Sequence, residues 1–353
     1  MTNKTDIRSA GVLISCDPDS EAFAVEELRP LLPEPQKIQW LDDGLALARP
    51  SAGFDAFAAE MERAAPVFIR HIAPVEFEVG LTATEADVTT LCDVGMELAG
   101  RLDPAQTFAV QSRILGEGKL PYRRVTLNET LSNTLQAKTG AVMDCRQPEQ
   151  VISILCTPTR GYLGLSRTAQ NRSAWPGGMH RFQHEEGRIS RAEHKLLEAI
   201  SVFKLNLPSQ GTALDMGAAP GGWTHVLRER GLRVVAVDPA DLDVRLSRDL
   251  GVIHIRKGIQ AYLTSNPHCD MIVNDMRMEA SESVEIMLQA RPCLKSGNLA
   301  VLTLKLPKEI KAAQHTLETV RGALLRLSKD YSVLGARQLF HNRSEVTVAL
   351  QAQ

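Results

Sequence analysis

Leu214-Asp215-Met216-Gly217-Ala218-Ala219-Pro220-Gly221-Gly222-Trp223-Thr224 carries an apolar run straight into a glycine-rich loop. The run Thr212–Met216 predicts a buried strand, and the pattern over 223–229 predicts a helix directly after the loop. Strand, glycine loop and helix in that order bring backbone close to a small ligand at the carboxyl end of a sheet. A plain βα turn that holds nothing reads the same way, so the surrounding residues must decide.

Outward from the loop, strands and helices alternate. After a helix at 192–204, strands are predicted at 212–216, 233–238, 252–256, 270–275 and 299–304, with helices in the intervals. This is the α/β pattern of a doubly wound, mostly parallel sheet. A helix at 309–327 and two strands, 332–339 and 345–351, follow, and the last two predict an antiparallel pair at the sheet edge.

The first 170 residues read differently. Short apolar runs at 11–15 and 44–48 flank a helical segment in which Phe23, Leu28, Leu31 and Leu32 recur near helical spacing. A second helix at 52–64 leads to a predicted strand at 67–71, making residues 1–78 a small α+β unit. Residues 79–170 predict a helix (85–98), a strand (107–114), a helix (127–138) and two strands (151–157 and 162–166). Periodicity is lost around Pro176-Gly177-Gly178, which places a linker at 171–189, ahead of a last domain at 190–353.

Composition sets the class. The chain has 353 residues, 44% hydrophobic and 23% charged, an ordinary globular balance for two or three domains. No apolar run approaches the roughly 20 residues that span a bilayer, and the run at 11–15 is too short for a signal peptide. The six cysteines form no Cys-x-x-Cys pair, which argues against zinc and a disulfide framework and for a reducing cytoplasm. A net charge of −2 gives no global signature of a nucleic-acid binder. One local cluster stands out: Arg160, Arg167, Arg172, Arg181, Arg188, Arg191 and Lys195 against Glu185, Glu186 and Glu193.

Two ligands compete for the loop, a dinucleotide and S-adenosylmethionine. Asp238, 21 residues beyond Gly217, would meet the ribose of either. The loop discriminates better. Ala219 stands where the dinucleotide fingerprint needs its second glycine, and Pro220 has no amide to offer a phosphate. S-adenosylmethionine carries no phosphate, and Asp215 could neutralise its ammonium.

The blocks around the loop resemble the FtsJ-type RNA ribose 2′-O-methyltransferases. The resemblance covers the C-terminal half: Asp215-Met216-Gly217-Ala218-Ala219-Pro220-Gly221-Gly222-Trp223, Ser190-Arg191-Ala192-Glu193-His194-Lys195, Val273-Asn274-Asp275-Met276, Leu304-Lys305-Leu306-Pro307 and Arg343-Ser344-Glu345-Val346-Thr347-Val348. It implies a Lys195–Asp275–Lys305–Glu345 catalytic tetrad. It also implies a Rossmann-like methyltransferase domain with a seven-stranded sheet that binds S-adenosylmethionine through Ser190, Asp215, Gly217, Ala219, Pro220, Gly221, Gly222, Trp223, Asp238 and Asp275. Ala336-Arg337-Gln338-Leu339-Phe340-His341 and the N-terminal half resemble the branch that modifies a cytidine ribose of large-subunit ribosomal RNA. That branch has a ferredoxin-like unit followed by a THUMP domain, an RNA-binding module; Phe108-Ala109-Val110-Gln111 and the strand pair within 144–166 are similar to THUMP elements. The chain departs from the family at Ile255-Arg256-Lys257-Gly258, where relatives often carry an acid near the adenine, and at Ala192, where some carry a serine.

The implied reaction moves a sulfonium methyl group to a ribose 2′-hydroxyl. A neutral alcohol needs a base, and Lys305 is the candidate. An ordinary lysine, with a pKa of about 10.4, is charged at neutral pH. Burial, the sulfonium and the Lys195 ammonium would each favour the neutral amine, whereas Asp275 would oppose them while holding the lysine in place. Glu345 would orient Lys195 or the ribose. Arg172, Arg181 and Arg191 are candidates to hold RNA phosphates, with Trp175 or Phe182 stacking on a base. Other readings are the same chemistry on transfer RNA or a messenger cap, a catalytically silent RNA-binding or assembly factor, and a nicotinamide dehydrogenase.

Overall fold

A computed structural model describes residues 7–32, 38–116, 120–182, 187–306 and 313–353. The chain divides into two compact units, Met1–Met179 and His180–Gln353.

The first unit holds β1 (Ile7–Ser15), α1 (Glu21–Leu28), β2 (Ile38–Asp42), β3 (Leu45–Ala48), α2 (Gly53–Ala64) and β4 (His71–Gly80), then α3 (Ala86–Met96), β5 (Phe108–Ile114), α4 (Arg124–Thr139), β6 (Gln150–Cys156) and β7 (Arg160–Arg167). One seven-stranded sheet runs in the order β2-β3-β1-β4-β7-β6-β5. Alternation along each strand sends every second residue to the helical side. There Val12, Ile14 and Ile72 pack under α1 and α2, and Val110, Ile152 and Leu163 under α3 and α4. The boundary expected near residue 78 falls within β4, which pairs with both β1 and β7.

The second unit holds α5 (Glu193–Val202), β8 (Thr212–Met216), α6 (Gly222–Glu229), β9 (Arg233–Val237), α7 (Val244–Ser247), β10 (Val252–Ile255) and α8 (Ile259–Leu263), then β11 (Cys269–Asn274), α9 (Ala280–Ala290), β12 (Leu294–Lys305), α10 (Ala313–Leu327), β13 (Tyr331–Arg337) and β14 (Glu345–Ala352). Its sheet runs β10-β9-β8-β11-β12-β14-β13. Pairings from β10 to β12 are parallel, and β14 lies antiparallel to both β12 and β13. Strand order reverses between β8 and β11, whose ends Met216 and Asn274 lie side by side. Open α/β sheets bind ligands in the crevice beyond such a reversal.

Several expectations need correction. Residues 67–70 are no strand. Val67, Phe68 and Ile69 are apolar because they are buried in a loop, where the Glu27 carboxylate takes the amides of Val67 and Phe68 at 2.7 and 2.8 Å. The strand begins at His71 and runs through Pro74 to Gly80. β2 had no counterpart in the sequence reading. β12 starts at Leu294, five residues before the run at 299. The start of the helix expected at 309 lies outside the described residues, as do Glu185, Glu186 and Pro307. The front of the expected linker is tied down: Ser15 donates to the Gly177 carbonyl at 2.9 Å.

Candidate active site

The glycine loop leaves β8 at the strand-order reversal and enters α6. Gly221 has φ +115°, a region closed to side chains, and a methyl group there would also overlap Leu246. A methyl group on Gly222 would overlap the Ser190 hydroxyl ahead of α5. Gly217 turns the chain off the strand beside Met276. The first loop amides are spent internally. Gly217 and Ala218 donate to the Val237 carbonyl at 2.9 and 3.4 Å, and Ala219 donates to Asp238 Oδ2 at 3.1 Å. Pro220 has no amide at all. Residues 217–220 thus offer a pyrophosphate no amide, which weighs against a dinucleotide.

Asp215 lies beneath this loop. Its Oδ2 accepts from the Thr224 hydroxyl at 2.6 Å. Burial pushes the carboxyl up to about 7, against the opposing pull of Thr224. A buried acid of this kind fits a cationic group, which would restore the charge that burial disfavours. Asp238, just beyond β9, holds the loop with one oxygen and accepts from the Ala240 amide at 2.8 Å with the other. Arg256, in the segment where relatives often carry an acid near the adenine, pairs with Asp241.

Trp223 is a correction. It is 3% exposed, and its indole N–H donates to the Ala192 carbonyl at 2.8 Å. Its side chain joins the core between α5 and α6, so only backbone remains for a ligand. Ser190, placed by the resemblance among the cofactor contacts, sits against Gly222, and its Oγ accepts from the Ala192 amide at 3.3 Å.

Across the reversal point, four charged side chains converge. The β12–β14 register sets Lys305 directly opposite Glu345, β11 delivers Asp275 beyond Asn274, and α5 supplies Lys195. Lys195 Nζ lies 3.1 Å from Asp275 Oδ2 and 2.6 Å from Glu345 Oε1. Lys305 Nζ donates to Asp275 Oδ1 at 2.6 Å and to Glu345 Oε2. Each carboxylate therefore bridges both lysines. Burial pulls Lys195 down, but Asp275 and Glu345 more than offset it, and its pKa stands above the usual lysine value. Burial likewise raises Asp275, yet Lys305 and Lys195 outweigh it and hold the carboxyl below the usual range. Two ammonium and two carboxylate groups make the cluster electrically balanced.

Two supporting residues escaped the sequence reading. Thr303 is fully buried, donates to Asp275 Oδ1 at 2.6 Å and accepts from Lys305 Nζ at 2.8 Å. Its two-residue offset from Lys305 on one strand is the signal that could have found it. Glu198, on α5 with Lys195, accepts the amides of Phe340 and His341 at 2.8 and 2.9 Å. It ties the β13–β14 connection to the helix that carries Lys195.

The tetrad and cradle lie within residues 188–343 and the strand just beyond, and residues 188–343 match the family model described as FtsJ-like methyltransferase. Over this segment the chain is similar to the FtsJ-like methyltransferase family. A ribosomal RNA large subunit methyltransferase M from Halorhodospira halophila is 35% identical over 180 residues, 50% of this chain and 51% of that protein. One of the same name from Azotobacter vinelandii is 32% identical over 225 residues, 60% of this chain and 62% of that protein. The chain spans about half the length of the curated relatives it matches. The solved structure of TrmN from Thermus thermophilus overlays 97% of this chain and 100% of its own at a TM-score of 0.40 and 15% identity, too loosely to bear on the site.

The expected RNA contacts fare unevenly. Arg172 is a correction: its guanidinium donates to the carbonyls of Ile69, Met61 and Pro66 at 3.2, 3.0 and 2.7 Å. It clamps a buried loop of the first unit and is not a phosphate ligand. Phe182 is another. Its ring stacks on His180 and His194 with centroids 4.4 and 5.3 Å away, so its faces are taken. Arg181 and Arg191 are exposed in the second unit, and Trp175 is 36% exposed in the first. No helix among the described residues is long and apolar enough to cross a membrane.

Proposed function

We propose that the second unit is an S-adenosylmethionine-dependent RNA ribose 2′-O-methyltransferase. The observation that carries this reading is the four-residue cluster of Lys195, Asp275, Lys305 and Glu345 beside the glycine cradle. When bound, S-adenosylmethionine supplies an electrophilic methyl group on a positively charged sulfur. Asp215, the backbone of 217–222, Asp238 and Ser190 would hold it. Lys305 acts as general base and takes the 2′-hydroxyl proton at Nζ. Asp275 and Glu345 fix that nitrogen, and Lys195 balances their charge. Much of the rate gain then comes from alignment.

The substrate most in keeping with the relatives is a cytidine ribose of large-subunit (23S) ribosomal RNA, in the cytoplasm. The first unit would serve as the RNA-binding part, ferredoxin-like over 1–78 and THUMP-like over 79–170. Arg181 and Arg191 would meet phosphates. The same chemistry on another RNA remains the competing reading, and mapping the ribose labelled when total RNA is incubated with labelled S-adenosylmethionine separates the two.

The decisive variant is Lys305→Ala. Methylation should fall at least a hundredfold, while calorimetric affinity for S-adenosylmethionine stays within about threefold. Retained methylation would overturn the role of Lys305, and joint loss of both properties would mean that the lysine holds the fold instead.

A further inference from the structure

The three partners of Lys305 Nζ are not chemically equivalent. Asp275 and Glu345, when ionised, can only accept hydrogen bonds; the Thr303 hydroxyl can accept and donate. An ammonium has three hydrogens, and three acceptors surround it: Asp275 Oδ1 at 2.6 Å, Thr303 Oγ1 at 2.8 Å and Glu345 Oε2. A neutral amine keeps two hydrogens and presents a lone pair, which finds no donor in a carboxylate. Thr303 is fully buried, so water does not replace its hydroxyl.

Resting on the base role of Lys305, we propose that Thr303 is a positioning residue for the methyl transfer, its hydroxyl holding the Lys305 nitrogen in both protonation states. With the ammonium, Thr303 accepts from Nζ and donates to Asp275 Oδ1, the arrangement seen at 2.8 and 2.6 Å. With the neutral amine, rotation about Cβ–Oγ turns the same hydrogen onto the lone pair. When a ribose hydroxyl arrives, the Thr303 hydrogen swings back to Asp275 and frees the lone pair. The hydroxyl proton then moves to Nζ, and the ammonium again donates to Thr303. The charged groups facing this nitrogen are Lys195 from α5, Asp275 after β11 and Glu345 from β14; Asp215 on β8 acts on Asp275 electrostatically. The carboxylates among them only accept, and Lys195 directs its hydrogens to Asp275 and Glu345.

The test uses Thr303→Val, which keeps the shape and removes the hydroxyl, and Thr303→Ser, which returns it. With transcribed large-subunit ribosomal RNA, Thr303→Val should keep S-adenosylmethionine affinity within about twofold and lower kcat at pH 7 about tenfold, with little change in KM. The rising limb of its pH–rate profile should shift, and Thr303→Ser should restore both. Competitive acetylation of Lys305 across pH, read by mass spectrometry, reports the neutral amine without RNA; its midpoint should also shift in Thr303→Val. Coincident profiles and midpoints for Thr303→Val and the unaltered protein would overturn the proposal, as would a Thr303→Ser that rescues neither. Thr303→Ala takes the place of Thr303→Val if the latter fails to fold. Active Lys305→Ala, or no methylation by the unaltered protein, defeats the base reading itself. Inactive Lys305→Ala beside an unaffected Thr303→Val defeats the positioning role alone.

Discussion

Asp215 gives the site a pH signature of its own. Burial raises its carboxyl from 3.8 to about 7, so between those values the folded protein holds a proton that the unfolded chain has lost. Stability from this group is complete below pH 4 and declines as pH rises towards 7, the reverse of an ion-paired carboxylate. At about 1.4 kcal/mol per pKa unit the full cost is on the order of 4 kcal/mol. Asp215→Asn should flatten that decline, as measured by urea unfolding from pH 5 to 8, and an unchanged slope would refute it. A cationic ligand on Asp215 should bind the unaltered protein more tightly at pH 8 than at pH 6, and the variant equally at both. At this scale the sequence was most informative where residues are charged and motif-bound. Lys195, Asp275, Lys305 and Glu345 could be named in advance because their spaced blocks resemble one family's tetrad in order and context. Thr303 offered only its two-residue offset from Lys305, and a threonine inside a strand is otherwise ordinary. Trp223 misled because an aromatic beside a glycine loop suggests a platform, when packing had claimed it.

Among the elements, contact between α5 and α6 depends on absent atoms. Gly222 opens α6 against the Ser190 hydroxyl, leaving no space for a β-carbon. Gly222→Ala should therefore cost about 1–3 kcal/mol. Ser190→Ala removes the oxygen that the methyl group would strike, so the double variant should recover at least half of the loss. Additive losses in a double-mutant cycle would show that the strain lies elsewhere. The boundaries of β8 were legible to the residue because an apolar run meets a glycine. β4 was not, because Pro74 argues against a strand and Glu76 and Glu78 interrupt the apolar pattern. Residues 67–69 were misread for the opposite reason: burial alone made them apolar, and no ladder was involved.

At the scale of the whole molecule, the arginine-rich stretch is divided between two units, and its members do unlike things. Arg172 works inside the first unit, where losing it takes a donor from three carbonyls, of which Met61 keeps the Ala65 amide. Arg172→Ala should cost about 3 kcal/mol of stability and leave the salt dependence of RNA binding unchanged. Arg181→Ala with Arg191→Ala should do the converse: stability holds, RNA affinity falls and the slope of log K against log salt shrinks by up to about 2. Equilibrium unfolding and filter binding over a salt series would separate these outcomes, and a reduced slope for Arg172→Ala would reverse the assignment. Charge counting located the stretch, but the direction each arginine points depends on nearby carbonyls, which no composition reveals.

The antiparallel ladder that sets Lys305 against Glu345 has a consequence for how such a chain can vary. Seven cross-strand pairs, from Leu299 with Gln351 to Lys305 with Glu345, zip the two strands together. The Leu306 amide closes the end on the Ser344 carbonyl at 2.9 Å. Residues 306–344 thus leave and return through one fixed gate. Insertions or deletions in that excursion can reshape what surrounds the site while base and partner keep their spacing. Substrate preference can thus be rewritten within the excursion so long as β13 keeps its pairing with β14 and the amides of Phe340 and His341 keep Glu198.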